Sequence, residues 1–268
     1  IGRLVGSEMC IRDRNNSSVI GFINGERSLQ DTGVKIIGAH TDSPSLTLKP
    51  NPITYSSGYS QLGVEVYGGA LLKPWFDRDL SVAGRIVFKN STGDIGEKLI
   101  DFERPICVIP SLAIHLNRDA NGNSPINPQT DILPILSQNI EGQKPLDEMY
   151  FNSEISDKFL KKGEILLDHD LNLYDVQPPS MVGFNEEFIS SQRLDNLVSC
   201  FIGTMAILGA GSNNTSMIVF NDHEEVGSVS TTGADGPFLD DVIRRVCYSR
   251  NDCNVEVVKA KSFVLSCD

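Results

Sequence analysis

The sequence has no apolar stretch approaching the ~20 residues that a helix needs to cross a bilayer, so no membrane-spanning segment is expected in it. It has no basic surplus either. Its 23 Lys and Arg stand against 35 Asp and Glu, a net charge of -12. Nucleic-acid backbones are bound by basic surface, so a nucleic-acid partner is not expected. None of the six cysteines, Cys10, Cys107, Cys200, Cys247, Cys253 and Cys267, stands in a Cys-x-x-Cys pair, and several sit in apolar runs. That usage fits buried free thiols in a reducing, cytoplasmic setting. A Gly-x-Ser-x-Gly elbow is missing, which removes the usual signal for serine hydrolysis. A glycine-rich phosphate loop is missing too. Arg3, Glu8, Arg12, Asp13 and Arg14 break up the start of the chain, so those residues do not form a secretory signal.

What is present is ordinary for a globular protein. The 268 residues are 40% hydrophobic and 22% charged, enough for one large or two smaller domains. Neither internal repeats nor low-complexity tracts interrupt them. Ser7 to Arg14 resemble the conceptual translation of a transposon adaptor used in sequencing libraries, so residues 1–14 are expected to be non-native. Asp268, the last residue, stands just after the apolar run Phe263-Val264-Leu265, with Ser266 and Cys267 between, and the chain is expected to be a fragment.

Three short runs, Val34 to Ile37, Met217 to Phe220 and Phe263 to Leu265, are β-branched or aromatic and suit buried strands. Each is followed at once by residues capable of chemistry: His40 and Asp42, then Glu224 and Glu225, then Asp268. Leu197, Phe201, Met205 and Leu208 recur at helical spacing, with Gly209 as a stop. Pro237 opens a second helix bearing Leu239, Val242, Ile243 and Val246. Strands alternating with helices predict an α/β fold with a mixed central sheet flanked by helices. Ligands of such sheets bind beyond the carboxyl ends of strands, where all three polar clusters fall.

The stretch 51–184 reads differently. Val64 to Tyr67, Arg85 to Phe88, Ile106 to Ile109 and Ile165 to Leu167 are strand-like. Asn90 to Gly93 suggest a turn, and Asn117 to Pro134 a long ordered loop. This is expected to be a β-rich domain inserted between 15–50 and 185–268.

Histidine is scarce, at four residues. In His40-Thr41-Asp42, alternation along a strand points the imidazole and the carboxylate the same way. His40 could bind a metal while Asp42 orients its surroundings; equally, the pair could only satisfy a polar strand end. The neighbouring carboxylates Glu224 and Glu225 repel, which a cation offsets. One could ligate while the other takes a proton from water; the alternative is a solvated acidic turn. Asp195, just before a helix, is either a bridging ligand or a helix N-cap. His115 reads as a loop or core histidine, His169 as part of an acidic turn, and His223 as a neighbour of the glutamates rather than a ligand.

Taken together, Gly38-Ala39-His40-Thr41-Asp42-Ser43-Pro44, Tyr67-Gly68-Gly69, Trp75-Phe76-Asp77-Arg78-Asp79-Leu80, Ala113-Ile114-His115-Leu116, Arg193-Leu194-Asp195-Asn196 and His223-Glu224-Glu225-Val226-Gly227-Ser228 resemble the aspartyl aminopeptidase family, from about Gly21 to Asp268. The resemblance implies a two-zinc site. In it His40, Asp195, Glu225 and Asp268 are ligands, with Asp195 bridging. Glu224 is the general base, and Asp42 orients the surroundings of His40. It implies that His115 reaches the active site of a neighbouring subunit, that 51–184 is a dimerisation domain, and that dimers build a dodecamer. The implied substrate is a peptide with an acidic N-terminal residue. The alternatives are the neutral preference of vacuolar relatives, or a truncated, catalytically dead oligomerisation fragment.

Overall fold

In the computed structural model the described residues are 9–122, 124–139, 146–250 and 253–268. The chain separates into two compact units, one of 1–43 with 179–268 and the other of 44–178. In chain order the strands are β1 (Met9–Arg14), β2 (Ser18–Ile23), β3 (Lys35–His40), β4 (Ser45–Ser56), β5 (Tyr59–Tyr67), β6 (Leu80–Lys89), β7 (Ile95–Asp101), β8 (Ile135–Gln138), β9 (Ile165–Asp175), β10 (Ser180–Val182), β11 (Phe188–Ser190), β12 (Ser216–Asn221) and β13 (Phe263–Ser266). The helices are α1 (Leu29–Thr32), α2 (Glu148–Phe159), α3 (Leu194–Leu208), α4 (Phe238–Tyr248) and α5 (Val255–Lys261).

The first unit is a mixed α/β structure. Its sheet runs in the order β1-β2-β12-β3-β13. β2 is antiparallel to β1 and β12, whereas β3 is parallel to β12 and β13. All three apolar runs seen in the sequence lie in its parallel part, but only the first two are buried: Phe263, Val264 and Leu265 form an edge strand and are exposed. Part of the segment set aside as non-native, Met9 to Arg14, pairs with β2 at the sheet edge, while residues 1–8 lie outside the described residues.

Side chains alternate across a strand, so each core strand of this sheet feeds two faces. Ile20, Phe22, Ile36, Met217 and Val219 pack with Phe238, Val242, Ile243 and Val246 of α4 and with Val255 and Val258 of α5. Ile37, Ala39, Ile218 and Phe220 face the other way and meet Cys200 and Ile207 of α3. Each fully buried aliphatic or aromatic side chain of this kind contributes ~1.5–3 kcal/mol. α3 comes close to the sheet because Gly203 has no side chain; a Cβ there would sit 3.2 Å from Phe220 and 3.3 Å from Ile37. The far side of α3 is also apolar, with Phe201, Ile202 and Met205 exposed.

The second unit is a six-stranded antiparallel sheet in the order β7-β6-β9-β4-β5-β8, with α2 packed against β4 and β9. Its core gathers Leu46, Leu48, Leu62, Val64, Val82, Ile86, Leu171 and Leu173, with Phe151 and Ile155 of α2. Leu46 and Leu48 belong to that core, so the unit starts at Pro44 rather than at 51, and it ends at Pro178 rather than 184. The Asn90–Gly93 turn closes the β6–β7 hairpin, with Gly93 N–H on the Asn90 carbonyl at 3.0 Å. Two local expectations change. Ile106 to Ile109 make single bridges to Leu80, Ile135 and Phe76 instead of a continuous strand. His169 lies within β9, not in a turn, its ring edge-on to Phe151 of α2.

Candidate metal centre

β3, β12 and β13 run parallel, so their carboxyl ends share one edge of the sheet. His40 is the last residue of β3, in register with Asn221 of β12. Its imidazole is buried, 4% exposed, and its orientation is defined at both nitrogens. Nδ1 lies 3.0 Å from the Asp42 carbonyl oxygen, so that nitrogen carries the proton and Nε2 presents its lone pair. Nε2 faces three carboxylates: Asp195 Oδ1 at 3.3 Å, Asp268 Oδ1 at 3.4 Å and Glu224 Oε2 at 3.8 Å. Burial disfavours the imidazolium. The Asp42 carbonyl, the charges of Glu224 and Asp42 and, in the protonated form, a hydrogen bond from Nε2 to Asp268 outweigh it, and the pKa of His40 rises above 6.5.

Asp195 reaches this point through an irregular helix start. Arg193, in the left-handed region at φ 59°, begins α3, and Asp195 itself has non-helical angles of -84° and 112°. The Asp195–Asn196 peptide is cis. Asn196 is non-helical as well, so the regular part of α3 starts after it. Ser43 donates to the Asp195 carbonyl at 2.9 Å. The buried Asn196 donates to the Cys267 carbonyl at 2.7 Å, tying the start of α3 to the end of β13 beside Asp268.

The glutamates sit on a single 3-10 turn, Glu224–Val226, entered through His223 at φ 64° and left through Gly227 at φ 93°. Glycine takes that left-handed exit at no steric cost. The amide N–H groups of Glu224 and Glu225 donate to the two carboxylate oxygens of Asp42, each at 3.1 Å. The Asp42 side chain is only 7% exposed, so a buried anion caps this turn. Such charge-assisted bonds are worth ~1.5–3 kcal/mol each. Asp42 therefore contacts His40 through its backbone carbonyl and, at 3.4 Å, its carboxylate, while that carboxylate also holds the backbone of the glutamate pair. His223 turns away, its Nδ1 2.8 Å from Ser230 and 3.1 Å from Thr232.

Two donor sets result, His40 with Asp195 and Asp268, and His40 with Glu224 and Glu225; within each, the donor atoms lie within 4.8 Å of one another. One neutral nitrogen among several carboxylate oxygens suits zinc. The residues present fit that ion. His115, by contrast, is exposed on a loop of the other unit. All six cysteines are free; Cys107, Cys200 and Cys247 are buried, and Cys200 donates to the His40 carbonyl at 3.1 Å.

A family model described as aminopeptidase I zinc metalloprotease (M18) matches residues 9–268. The chain belongs to the M18 family. A probable M18 family aminopeptidase 2 from Stutzerimonas stutzeri is 48% identical over 239 residues, which cover 89% of this chain and 56% of that protein. The same-named protein of Pseudomonas fluorescens is 46% identical over 259 residues, 95% of this chain and 59% of its own length. This M18 chain thus spans a little over half the length of these relatives. Among solved structures, that of the Ape4 and Nbr1 complex matches with a TM-score of 0.88 at 34% identity, over 100% of this chain and 55% of its counterpart. The mApe1 dodecamer of S. cerevisiae matches at 0.77 and 26%, over 95% and 58%. Zinc is the metal of the M18 family.

Proposed function

We propose that this chain carries the zinc-holding portion of an aminopeptidase that releases N-terminal residues, preferably Asp or Glu, from peptides. The observation that carries this reading is the pair of donor sets sharing His40, set at the ends of parallel strands in a member of a zinc aminopeptidase family. His40, Asp195 and Asp268 hold one zinc. Asp195 and Glu225 would hold a second. Bound zinc supplies Lewis acidity toward the scissile carbonyl and acidifies water. Glu224 takes the proton of the attacking water and returns it to the leaving amine. Asp42 keeps the Nδ1 side of His40 occupied and holds the amides of Glu224 and Glu225, so base and ligand are placed before substrate arrives.

The protein assembles with copies of itself. The unit of 44–178 pairs subunits, the pairs build a dodecamer, and His115 reaches a neighbour's active site. The exposed Leu112, Ile114 and Leu116 around His115, and the dodecamer of the mApe1 relative, support this. Among the described residues no helix is long and apolar enough to cross a membrane, and a cytoplasmic location is proposed with the free thiols in support.

The test is Glu224→Gln in the zinc-loaded, full-length protein. Turnover falls by roughly 10²–10⁴-fold with zinc content unchanged; near-normal turnover with zinc bound overturns the role of Glu224. A panel of Asp-, Glu- and Leu-peptides tests the substrate, and faster release of Leu than of Asp overturns the acidic preference.

A further inference from the structure

Asp77 lies in the segment Trp75 to Leu80, which the zinc chemistry leaves without a task. Its backbone is left-handed, at φ 58°. Aspartate tolerates that conformation better than most residues. Its N–H donates to the Ile109 carbonyl at 2.9 Å, beside a parallel bridge between Phe76 and Ile109. Its carboxylate accepts the Ser111 N–H at 2.8 Å. The Ser111 hydroxyl and N–H beside it hold the carboxyl below its ordinary range. Further back, Leu80 N–H donates to the Cys107 carbonyl at 3.0 Å. The strand-like stretch up to Ser111 is therefore pinned at both ends to the Asp77 segment.

Past Ser111 the chain leaves the body of the unit. Leu112, Ile114 and Leu116 are 64%, 54% and 68% exposed. Leu116 and Asn117 N–H groups close on the Ala113 carbonyl at 2.8 and 3.2 Å, forming a turn with His115 on it. The base of this loop is hydrogen-bonded, and the exposed tip is apolar around one histidine.

We propose that Asp77 is a positioning residue, fixing where loop 111–117 presents His115. The inference rests on the reading above in which His115 acts in a neighbouring copy's site. A carboxylate suits this place because it accepts the Ser111 N–H. Asparagine retains one acceptor oxygen, and alanine none.

The experiment compares kcat/KM, zinc content and assembly for Asp77→Ala, Asp77→Asn, His115→Ala and the double variant Asp77→Ala/His115→Ala, in the zinc-loaded, full-length protein. Asp77→Ala lowers kcat/KM by roughly ten- to hundredfold, the scale of a misplaced group, with zinc content unchanged. Asp77→Asn recovers most of the activity. The double variant is no slower than His115→Ala alone, because the anchor acts only through the histidine. Should Asp77→Ala fail to assemble, Asp77→Gly, which accommodates the left-handed backbone and removes the acceptor, carries the same test, and full activity there overturns the proposal. A His115→Ala protein with full activity overturns the reading of His115 itself. A slow His115→Ala beside a normal Asp77→Ala, or losses that multiply in the double variant, leaves that reading standing and overturns the anchor.

Discussion

His40 and His115 are the same residue type in opposite settings. His40 ends a central parallel strand, is buried, and has each ring nitrogen engaged with atoms whose positions the sheet determines. His115 rides on an exposed loop of an antiparallel unit, and the base of that loop is held by hydrogen bonds at Asp77. Parallel strands bring residues far apart in the chain to one edge, so the first unit can assemble a many-ligand site. A loop between antiparallel strands offers a few adjacent residues outward, which suits contact with something outside the unit.

The largest expected effect tests the first half of this contrast. His40→Ala removes the nitrogen common to both donor sets. Zinc should be lost from the folded protein, as metal analysis would read, and with it several kcal/mol of catalysis, roughly a thousandfold or more. Retention of two zincs per chain would sink the assignment of His40 as a ligand. Asp42→Ala comes next. It frees the glutamate amides and is expected to lower zinc affinity or turnover by ~10–100-fold, with Asp42→Asn in between. A near-normal Asp42→Asn protein would mean that the carboxylate's two oxygens are not both used.

Leu171→Ala sharpens the separation of the units. It opens the core of the second unit and should cost ~2–5 kcal/mol of its stability in denaturant titration. Zinc content of the still-folded protein should not change; a parallel fall in zinc would break the comparison. The smallest effect concerns Cys107. Burial pushes its thiol from 9.0 up to about 12. Because the folded value is the higher one, the thiol's contribution to stability is complete below about pH 9 and is lost as pH rises toward about 12. Cys107→Ala should flatten that alkaline decline without changing the pH dependence near neutrality, as melting curves across pH would read.

Much of the first unit was legible in the residues. Met217 to Phe220 and Val34 to Ile37 are short, β-branched or aromatic runs, and they became β12 and β3. Leu197 to Leu208 had helical spacing and became most of α3. The second unit was less legible. α2 has a weakly amphipathic sequence and owes its place to Phe151 and Ile155 packing on the sheet. Ile106 to Ile109 looked like a strand, yet it lies where its neighbours allow only isolated bridges. At the site, the kinds of donor could be named from His40, Glu224 and Glu225 in their strand-end positions. The dual contact of Asp42 could not, because it depends on where the Glu224 and Glu225 amides stand.

By itself, then, the sequence determined which segments are strands and helices, because periodicity and β-branching are local properties. It also determined which chemical groups follow them. Tertiary structure alone decided that Asp195 and Asp268 converge on His40 Nε2, that Asp42 caps the glutamate turn, and that Asp77 holds Ser111. Each of these joins residues distant in the chain or fixes a backbone direction, and only the completed sheet and its packed helices set those distances.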